Sequence, residues 1–164
     1  MPLTIRDATE SDVPAIVEMI RLLAAYERLE DRVRATEERI RRALFGETRM
    51  AEALLADYET ECVGFALFYG TYSTFAASPG IYLEDLYVKS HVRGKGVGTA
   101  LLRRLAGIAR ERGCERLEWG VLDWNEPSIR FYQGLGAEPV EPWTRYRVDG
   151  KALERLAALK PRAD

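Results

Sequence analysis

The stretch IYLEDLYVKSHVRGKGVGT, residues 81–99, decides how this chain folds around a ligand. Its first part, Ile81 to Val88, is rich in aromatic and branched residues and predicts a β-strand. The glycine-rich RGKGVGT follows and leads directly into an amphipathic helix over residues 96–112. A strand, a glycine loop and a helix in this order are typical of an anion-binding site, because the helix dipole and the backbone N–H groups both favour negative charge there.

The composition of this loop fits a phosphate ligand. Its glycines lack Cβ atoms, so backbone N–H groups can converge on phosphate oxygens, and Arg93 and Lys95 add full positive charges. A dinucleotide fingerprint needs glycine where Thr99 stands, and the GKS or GKT ending of a Walker loop is absent. A glycine turn that only caps the helix stays open as an alternative.

The elements around this stretch predict one α+β domain, residues 1–164, with a mixed, largely antiparallel central sheet and helices on both faces. Apolar spacing and turn residues set the expected boundaries. We expect strands at 3–6, 51–57, 62–72, 81–88, 116–122 and 144–148, and helices at 10–26, 36–46, 96–112, 127–135 and 153–159. Thr9 and Asp12 resemble a capping box at the start of the first helix.

Composition excludes several classes of protein. The 164 residues are 47% hydrophobic and 30% charged, as in folded globular proteins. With two cysteines and one histidine, the chain cannot build a disulfide framework or a zinc cluster, and we expect no metal. Since no apolar run approaches the length of a membrane span and the start does not resemble a signal peptide, we expect a cytoplasmic protein without a membrane partner.

Charge is unevenly distributed along the chain. Residues 89–116 carry a local charge of +6, whereas the remainder carries −8. The basic segment suits an anion, and the acidic remainder favours small cations and disfavours nucleic acid as a partner.

Two motifs resemble those of a known superfamily. RxxGxG after a strand that ends in valine, here Val88 and residues 93–98, resembles the acetyl-CoA pyrophosphate loop of GNAT N-acetyltransferases. WNEPSIRFYQGLGA, residues 124–137, resembles the second motif of that superfamily. LAAYERLE, GFALFYGTYSTF and YLEDLYV extend the resemblance to the diamine (spermidine/spermine) acetyltransferase family over residues 3–158. TYST and LDWN are closer to its thialysine-acetylating branch, because the polyamine branch tends to carry an acid where Ser73 stands.

The resemblance implies a GNAT-like fold and direct transfer of an acetyl group from acetyl-CoA to a primary amine of a small diamine, polyamine or thialysine-like acceptor. It implies that Glu84 takes the amine proton and that Tyr132 protonates the CoA sulfur. The cofactor residues it implies are Leu86, Tyr87, Val88, Arg93, Gly94, Lys95, Gly96, Val97, Gly98, Thr99, Asn125, Glu126, Pro127 and Ser128. The acceptor residues it implies are Tyr26, Glu27, Glu84, Glu118, Trp119, Gly120 and Glu141.

Two adjacent acids, Glu84 and Asp85, lie in the predicted strand 81–88. Adjacent residues of a strand point to opposite faces, so only one of Glu84 and Asp85 faces the substrate unless a bulge intervenes. We assign the other acid a structural role.

The family also implies a homodimer. Two alternative functions are acetylation of a protein or antibiotic amine, and a non-catalytic acetyl-CoA-binding module that regulates a partner.

Overall fold

A computed structural model describes residues 3–159. Its strands are β1 (Leu3–Asp7), β2 (Glu52–Tyr58), β3 (Glu61–Ser73), β4 (Ser78–Val88) and β5 (Arg116–Trp119). Its α-helices are α1 (Val13–Glu27), α2 (Glu37–Phe45), α3 (Val97–Glu111), α4 (Glu126–Gly134) and α5 (Gly150–Ala157). The chain divides into two compact units, Met1–Leu122 and Asp123–Asp164. The first unit therefore holds the whole sheet.

The sheet has the order β1-β2-β3-β4-β5. Neighbours from β1 to β4 are antiparallel, and β5 runs parallel to β4. This is the mixed, largely antiparallel sheet that the sequence predicts. Five strands with five α-helices confirm the fold class.

Alternation along the strands buries both faces of the sheet. One face meets α1 and α2 in a cluster of Ile16, Met19, Leu44, Ala53, Leu55, Phe65 and Tyr87. The opposite face lies under α3, where Gly64 of β3 leaves room for Val97 and Leu101. Because every second residue of β2 points the other way, Leu54 and Ala56 are also fully buried. Helices on both faces are thus confirmed.

The start of the first helix follows its predicted cap. The Thr9 N–H donates to Asp12 Oδ2 at 2.7 Å, and a short 3₁₀ turn, Glu10–Asp12, precedes α1. Arg6 of β1 donates to Asp12 Oδ1 at 2.9 Å and to Asp57 Oδ2 at 2.6 Å. The Arg6 guanidinium lowers the pKa of the Asp12 carboxyl well below its usual range. These contacts join β1, β2 and the helix start.

One predicted strand is absent near the C-terminus, and several element boundaries there differ from the prediction. The strand predicted for Thr144–Val148 is wrong, since residues 137–149 form neither helix nor strand. A strand needs a neighbour to complete its hydrogen bonds, and none lies in the described part of the second unit, 123–159. The fifth strand stops at Trp119 rather than Leu122, and the last helix begins at Gly150 rather than Leu153.

Gly64 gives a stability test of the packing beneath α3. A Cβ at this position would lie 2.9 Å from the Tyr87 carbonyl oxygen and 3.4 Å from side-chain atoms of Leu101 and Val97. We expect Gly64→Ala to lower the free energy of unfolding by about 1 to 3 kcal/mol, as overpacking usually does. Gly70→Ala on the same strand is the matched control, because a Cβ there meets nothing within 4 Å. Equal denaturant midpoints for the two variants would contradict this packing.

Candidate active site

The loop between β4 and α3 has the backbone of an anion cradle. Gly94 and Gly96 adopt left-handed conformations with φ of 79° and 82°, which favour glycine. Gly96 is the N-cap of α3 and offers no side chain to the first helical N–H groups. No acid stands in the first turn of that helix. The N–H groups that begin α3 therefore keep their capacity to bind an anion.

The edge of β4 opens beside this loop. Pairing between β4 and β5 ends at Leu83 and Trp119, whereas β3 continues to pair with β4 as far as Val88. From Glu84 to Val88, the side of β4 that faces away from β3 thus has no β5 residue in register. An extended ligand can use backbone groups at such an edge as a neighbouring strand would. Residues 86–88, predicted to bind the cofactor arm, lie along it.

A β-bulge places Glu84. Leu67 of β3 lies opposite Asp85, but the next residue, Phe68, lies opposite Leu83, so Glu84 is the extra residue. The Tyr69 hydroxyl donates to Glu84 Oε2 at 3.0 Å. Asp85 shares the face of Leu67, which is also the face of Tyr69 two residues further on. The two acids therefore lie on one face of the sheet, which is the exception that the sequence argument allowed.

Burial and charge act together on these acids. Asp85 is half-buried, and burial with the nearby charges of Glu84 and Glu27 raises its pKa to about 6. Burial also raises the pKa of Glu27, at the end of α1. Two carboxylates within electrostatic reach of a third, Asp85, favour a cationic ligand. Asp85, assigned a structural role from the sequence, thus belongs with the predicted site residues. The signal for it was two adjacent acids within an otherwise apolar strand.

The side chain of Arg93 is exposed and folds back toward β4 and α1. Its Nε donates to the Val88 carbonyl at 2.9 Å. Its guanidinium carbon lies 4.9 Å from the ring centre of Tyr26 and 5.5 Å from that of Tyr87. Lys95 Nζ lies 5.3 Å from the ring centre of Tyr58. Both loop cations therefore contact aromatic rings of the first unit.

The base of the loop is held by an ion cluster. Glu61, the first residue of β3, accepts from Lys89 Nζ at 2.9 Å, and its other oxygen lies 3.0 Å from His91 Nε2. Lys89 and His91 flank Ser90, just before the loop. The cluster fixes the chain where it leaves β4.

The predicted acceptor residues on β5 lie beside Tyr82. Glu118 is in register with Tyr82 and pairs with Arg116 at 3.7 Å. Trp119 is half-buried, and Gly120 follows the strand. A Cβ on Gly120 would lie 3.4 Å from the Tyr82 hydroxyl. The Tyr82 ring stacks on Tyr69 with centroids 5.5 Å apart. Because Tyr69 also contacts Glu84, the stack connects the β5 residues with the face of the sheet that carries Glu84 and Asp85.

The second unit holds the remaining predicted residues. Asn125 is 5% exposed and caps α4, with its Oδ1 accepting from the Ser128 N–H at 3.3 Å. Pro127 occupies the first turn, where its missing N–H costs nothing. Tyr132 is half-buried in α4, its ring 5.3 Å from that of Phe131. Glu141 is exposed in the irregular stretch that follows.

Among residues 3–159, no three or more His, Cys, Asp or Glu side chains are grouped so as to hold a metal ion. In the same part of the chain, no helix has the length and apolar character needed to cross a membrane.

Both the sequence and the fold of this chain are similar to those of known proteins. The model of the Acetyltransferase (GNAT) family matches residues 16–137. A thialysine N-epsilon-acetyltransferase of Bos taurus is 40% identical, covering 93% of this chain and 96% of its own. An L-ornithine N5-acetyltransferase of Arabidopsis thaliana is 30% identical, covering 94% and 88%. Among solved structures, an integron cassette protein from the mobile metagenome of V. cholerae has a TM-score of 0.80 and 29% identity, covering 97% and 99%.

The raised pKa of Asp85 predicts a pH-dependent stability. Because the folded chain holds a proton at Asp85 more tightly than the unfolded chain, whose ordinary value is 3.8, the favourable contribution is complete below about pH 4 and is lost as the pH rises through about 6. Asp85→Asn never carries the charge. We expect this variant to exceed the wild type by about 1 to 3 kcal/mol in free energy of unfolding at pH 7.5, with little difference at pH 4. A difference that does not change with pH in urea titrations would contradict the raised pKa.

Proposed function

This chain belongs to the GNAT acetyltransferase family, and we propose that it transfers the acetyl group of acetyl-CoA to a primary amine of a small diamine, polyamine or lysine-like acceptor such as thialysine. Family membership and relatives that are N-acetyltransferases confirm the predicted enzyme class. The observation that carries the proposal is a group of three carboxylates: Glu84 and Asp85 lie on the strand that ends at the anion cradle, and Glu27 lies at the end of α1. The carboxylates complement the charge of a cationic amine, and the anion cradle complements that of an anionic cofactor.

The residues present fit acetyl-CoA. The open edge of Leu86–Val88 offers backbone groups to the amides of the pantetheine arm, and residues 94–99 offer N–H groups and the positive end of the α3 dipole to the pyrophosphate. The resemblance adds Asn125 to Ser128 on the other side of the arm. When bound, acetyl-CoA supplies an acyl group already activated as a thioester, so the chain needs no nucleophile of its own.

Proton movement is the chemistry left to the side chains. The acceptor arrives as an ammonium ion and must lose one proton before its nitrogen can attack. In the proposal Glu84 takes this proton, directly or through water, while the Tyr69 hydroxyl holds its Oε2 in place. Asp85 keeps negative charge beside the ammonium ion. Tyr132 protonates the departing thiolate, and the proton that the nitrogen loses on acylation restores the phenol.

Several features favour a short acceptor. The two relatives compared above are named for thialysine and L-ornithine, amino acids that carry an amine at the end of the side chain. Ser73 is neutral and closes the turn between β3 and β4, its hydroxyl accepting from the Ala76 N–H at 3.3 Å. A distant second ammonium therefore lacks a carboxylate at this position. We place Tyr26, Glu27, Glu118, Trp119, Gly120 and Glu141 around the acceptor.

Three further proposals concern the whole protein. We propose that residues 1–164 act as a single acetyltransferase domain, that it is cytoplasmic, and that it forms a homodimer. Large apolar side chains of the second unit support the dimer, because exposed apolar surface of this kind commonly marks an interface. Trp143 is 75% exposed, Tyr146 is 94% exposed, and Leu153 and Leu156 of α5 are each 53% exposed.

The decisive experiment combines binding with turnover. We expect calorimetry to detect acetyl-CoA binding, and a thiol-release assay over thialysine, lysine, ornithine, putrescine, spermidine and spermine to give the highest kcat/KM for the short amines. Since exposed charge pairs contribute about 1 kcal/mol or less each, the preference should be graded, within about tenfold per lost pair. A far higher value for spermine would contradict the acceptor assignment. Turnover only on a peptide or an aminoglycoside favours the protein or antibiotic alternative, and binding without any turnover favours the regulatory module.

Glu84→Gln tests the proton acceptor. The amide keeps the shape and the hydrogen bond from Tyr69 but cannot take a proton, so kcat at pH 7 should fall by about 10² or more. A higher pH should restore part of the rate, because more of the amine is then neutral. Steady-state kinetics from pH 6.5 to 9.5 measure both effects. A variant with the wild-type rate and pH profile would place the base elsewhere, with Asp85 as the next residue to change.

A further inference from the structure

We infer that Arg93 is a positioning residue that couples the cofactor loop to the acceptor side of the site, by clamping the end of α1 to the end of β4. The inference rests on the proposed function, because it takes the loop as the cofactor side and Tyr26 with Glu27 as the acceptor side. It departs from the expectation that the Arg93 charge serves the pyrophosphate directly.

The geometry of the side chain supports a clamp. Arg93 is the first residue after the 3₁₀ turn Ser90–Val92 and therefore opens the cofactor loop. Its Nε returns to the Val88 carbonyl, five residues earlier, at 2.9 Å. The planar group then lies close to two rings, at 4.9 Å from the centre of Tyr26 and 5.5 Å from that of Tyr87. One side chain thus touches the strand end, the loop and the last turn of α1.

The two rings differ in how firmly they are held. Tyr87 is 9% exposed and belongs to the core cluster that includes Ile16 and Met19 of α1. Tyr26 packs against the same cluster but is only half-buried, and its neighbour Glu27 is one of the three acids of the carboxylate group. Tyr87 is therefore the firmer anchor, and the guanidinium adds a contact to the less buried ring of Tyr26. A displacement of the loop would move Arg93, and through its contact with Tyr26 it would change the position of the acceptor residues at the end of α1.

A guanidinium suits this work better than an ammonium. It presents a flat face to aromatic rings while its edge donates hydrogen bonds, and an ammonium cannot keep both contacts with the same geometry. The contact of Lys95 provides the contrast, because its Nζ lies over Tyr58 of β2, outside the acceptor residues named above. Coupling through Arg93 has to be reciprocal. If bound acetyl-CoA increases the affinity for the amine by some factor, the bound amine should increase the affinity for acetyl-CoA by the same factor.

A double-mutant cycle tests the clamp. The variants are Arg93→Met, Tyr26→Leu and both together, with the Kd of acetyl-CoA measured by calorimetry and the KM of the preferred amine by thiol release. We expect Tyr26→Leu to weaken acetyl-CoA binding about threefold to fivefold, although its ring lies on the acceptor side, and Arg93→Met to raise the amine KM by a similar factor or more. The double variant should be no worse than Arg93→Met alone.

Two conservative variants separate the clamp from a phosphate contact. Tyr26→Phe keeps the ring and should therefore lose less acetyl-CoA affinity than Tyr26→Leu does. Arg93→Lys keeps the charge but loses the flat fork, so we expect it to bind acetyl-CoA as weakly as Arg93→Met does. Arg103→Met removes one exposed positive charge from α3 and controls for the change in net charge. Thermal midpoints show whether each variant is folded.

Each result decides the inference. An acetyl-CoA Kd that is unchanged in Tyr26→Leu, effects that multiply in the double variant, or full affinity in Arg93→Lys would overturn it and assign Arg93 to the pyrophosphate. If Tyr26→Leu fails to fold, the comparison of Arg93→Lys with Arg93→Met still decides. Failure of the proposed function gives a different result, because the wild type then binds no acetyl-CoA or acetylates no amine.

Discussion

The two sides of β4 are paired over different lengths, and this asymmetry underlies the rest of the site. On one side β3 pairs with β4 along its length, so the strand is held firmly in the core. On the other side β5 is in register for only four residues and then leaves an open edge. Because pairing with β3 holds β4 as far as Val88, the position at which the following loop begins is fixed. The open side gives a ligand access to backbone groups that a complete sheet would have used itself.

The extra residue in β4 changes what the paired side presents. In a regular strand Glu84 and Asp85 would face opposite ways, and one of them would point toward the face covered by α3. The bulge turns both toward Tyr69, at the cost of placing like charges close together. That cost is visible in the raised pKa of Asp85. A ligand with a positive charge relieves the repulsion, so the arrangement is more favourable with an amine bound than without one.

The sequence predicts the elements of the first unit well because each carries local signals. Thr36 caps α2 and Gly46 ends it, and the apolar spacing of α3 indicates which side is buried. The bulge has no such signal, since it depends on how β3 and β4 pair. For the same reason, the sequence alone does not predict that Asp85 lies close to Glu84 and Glu27. The side chain of Arg93 was assigned by motif, but its contacts depend on where α1 ends. Residues 144–148 show the opposite error, because a strand-like alternation forms no strand without a neighbour.

The turn between β3 and β4 has a consequence for how acceptor preference can change. Ser73 contributes to this turn through a single oxygen that accepts from the Ala76 N–H. Aspartate accepts from the same kind of N–H in turns, so the hairpin tolerates an acid at this position without rebuilding its backbone. Ser73 is half-buried and lies opposite the buried Ser78 at the very end of the two strands. Under the proposed function, the range of amines can therefore change through this one half-buried position while the backbone of the hairpin stays the same.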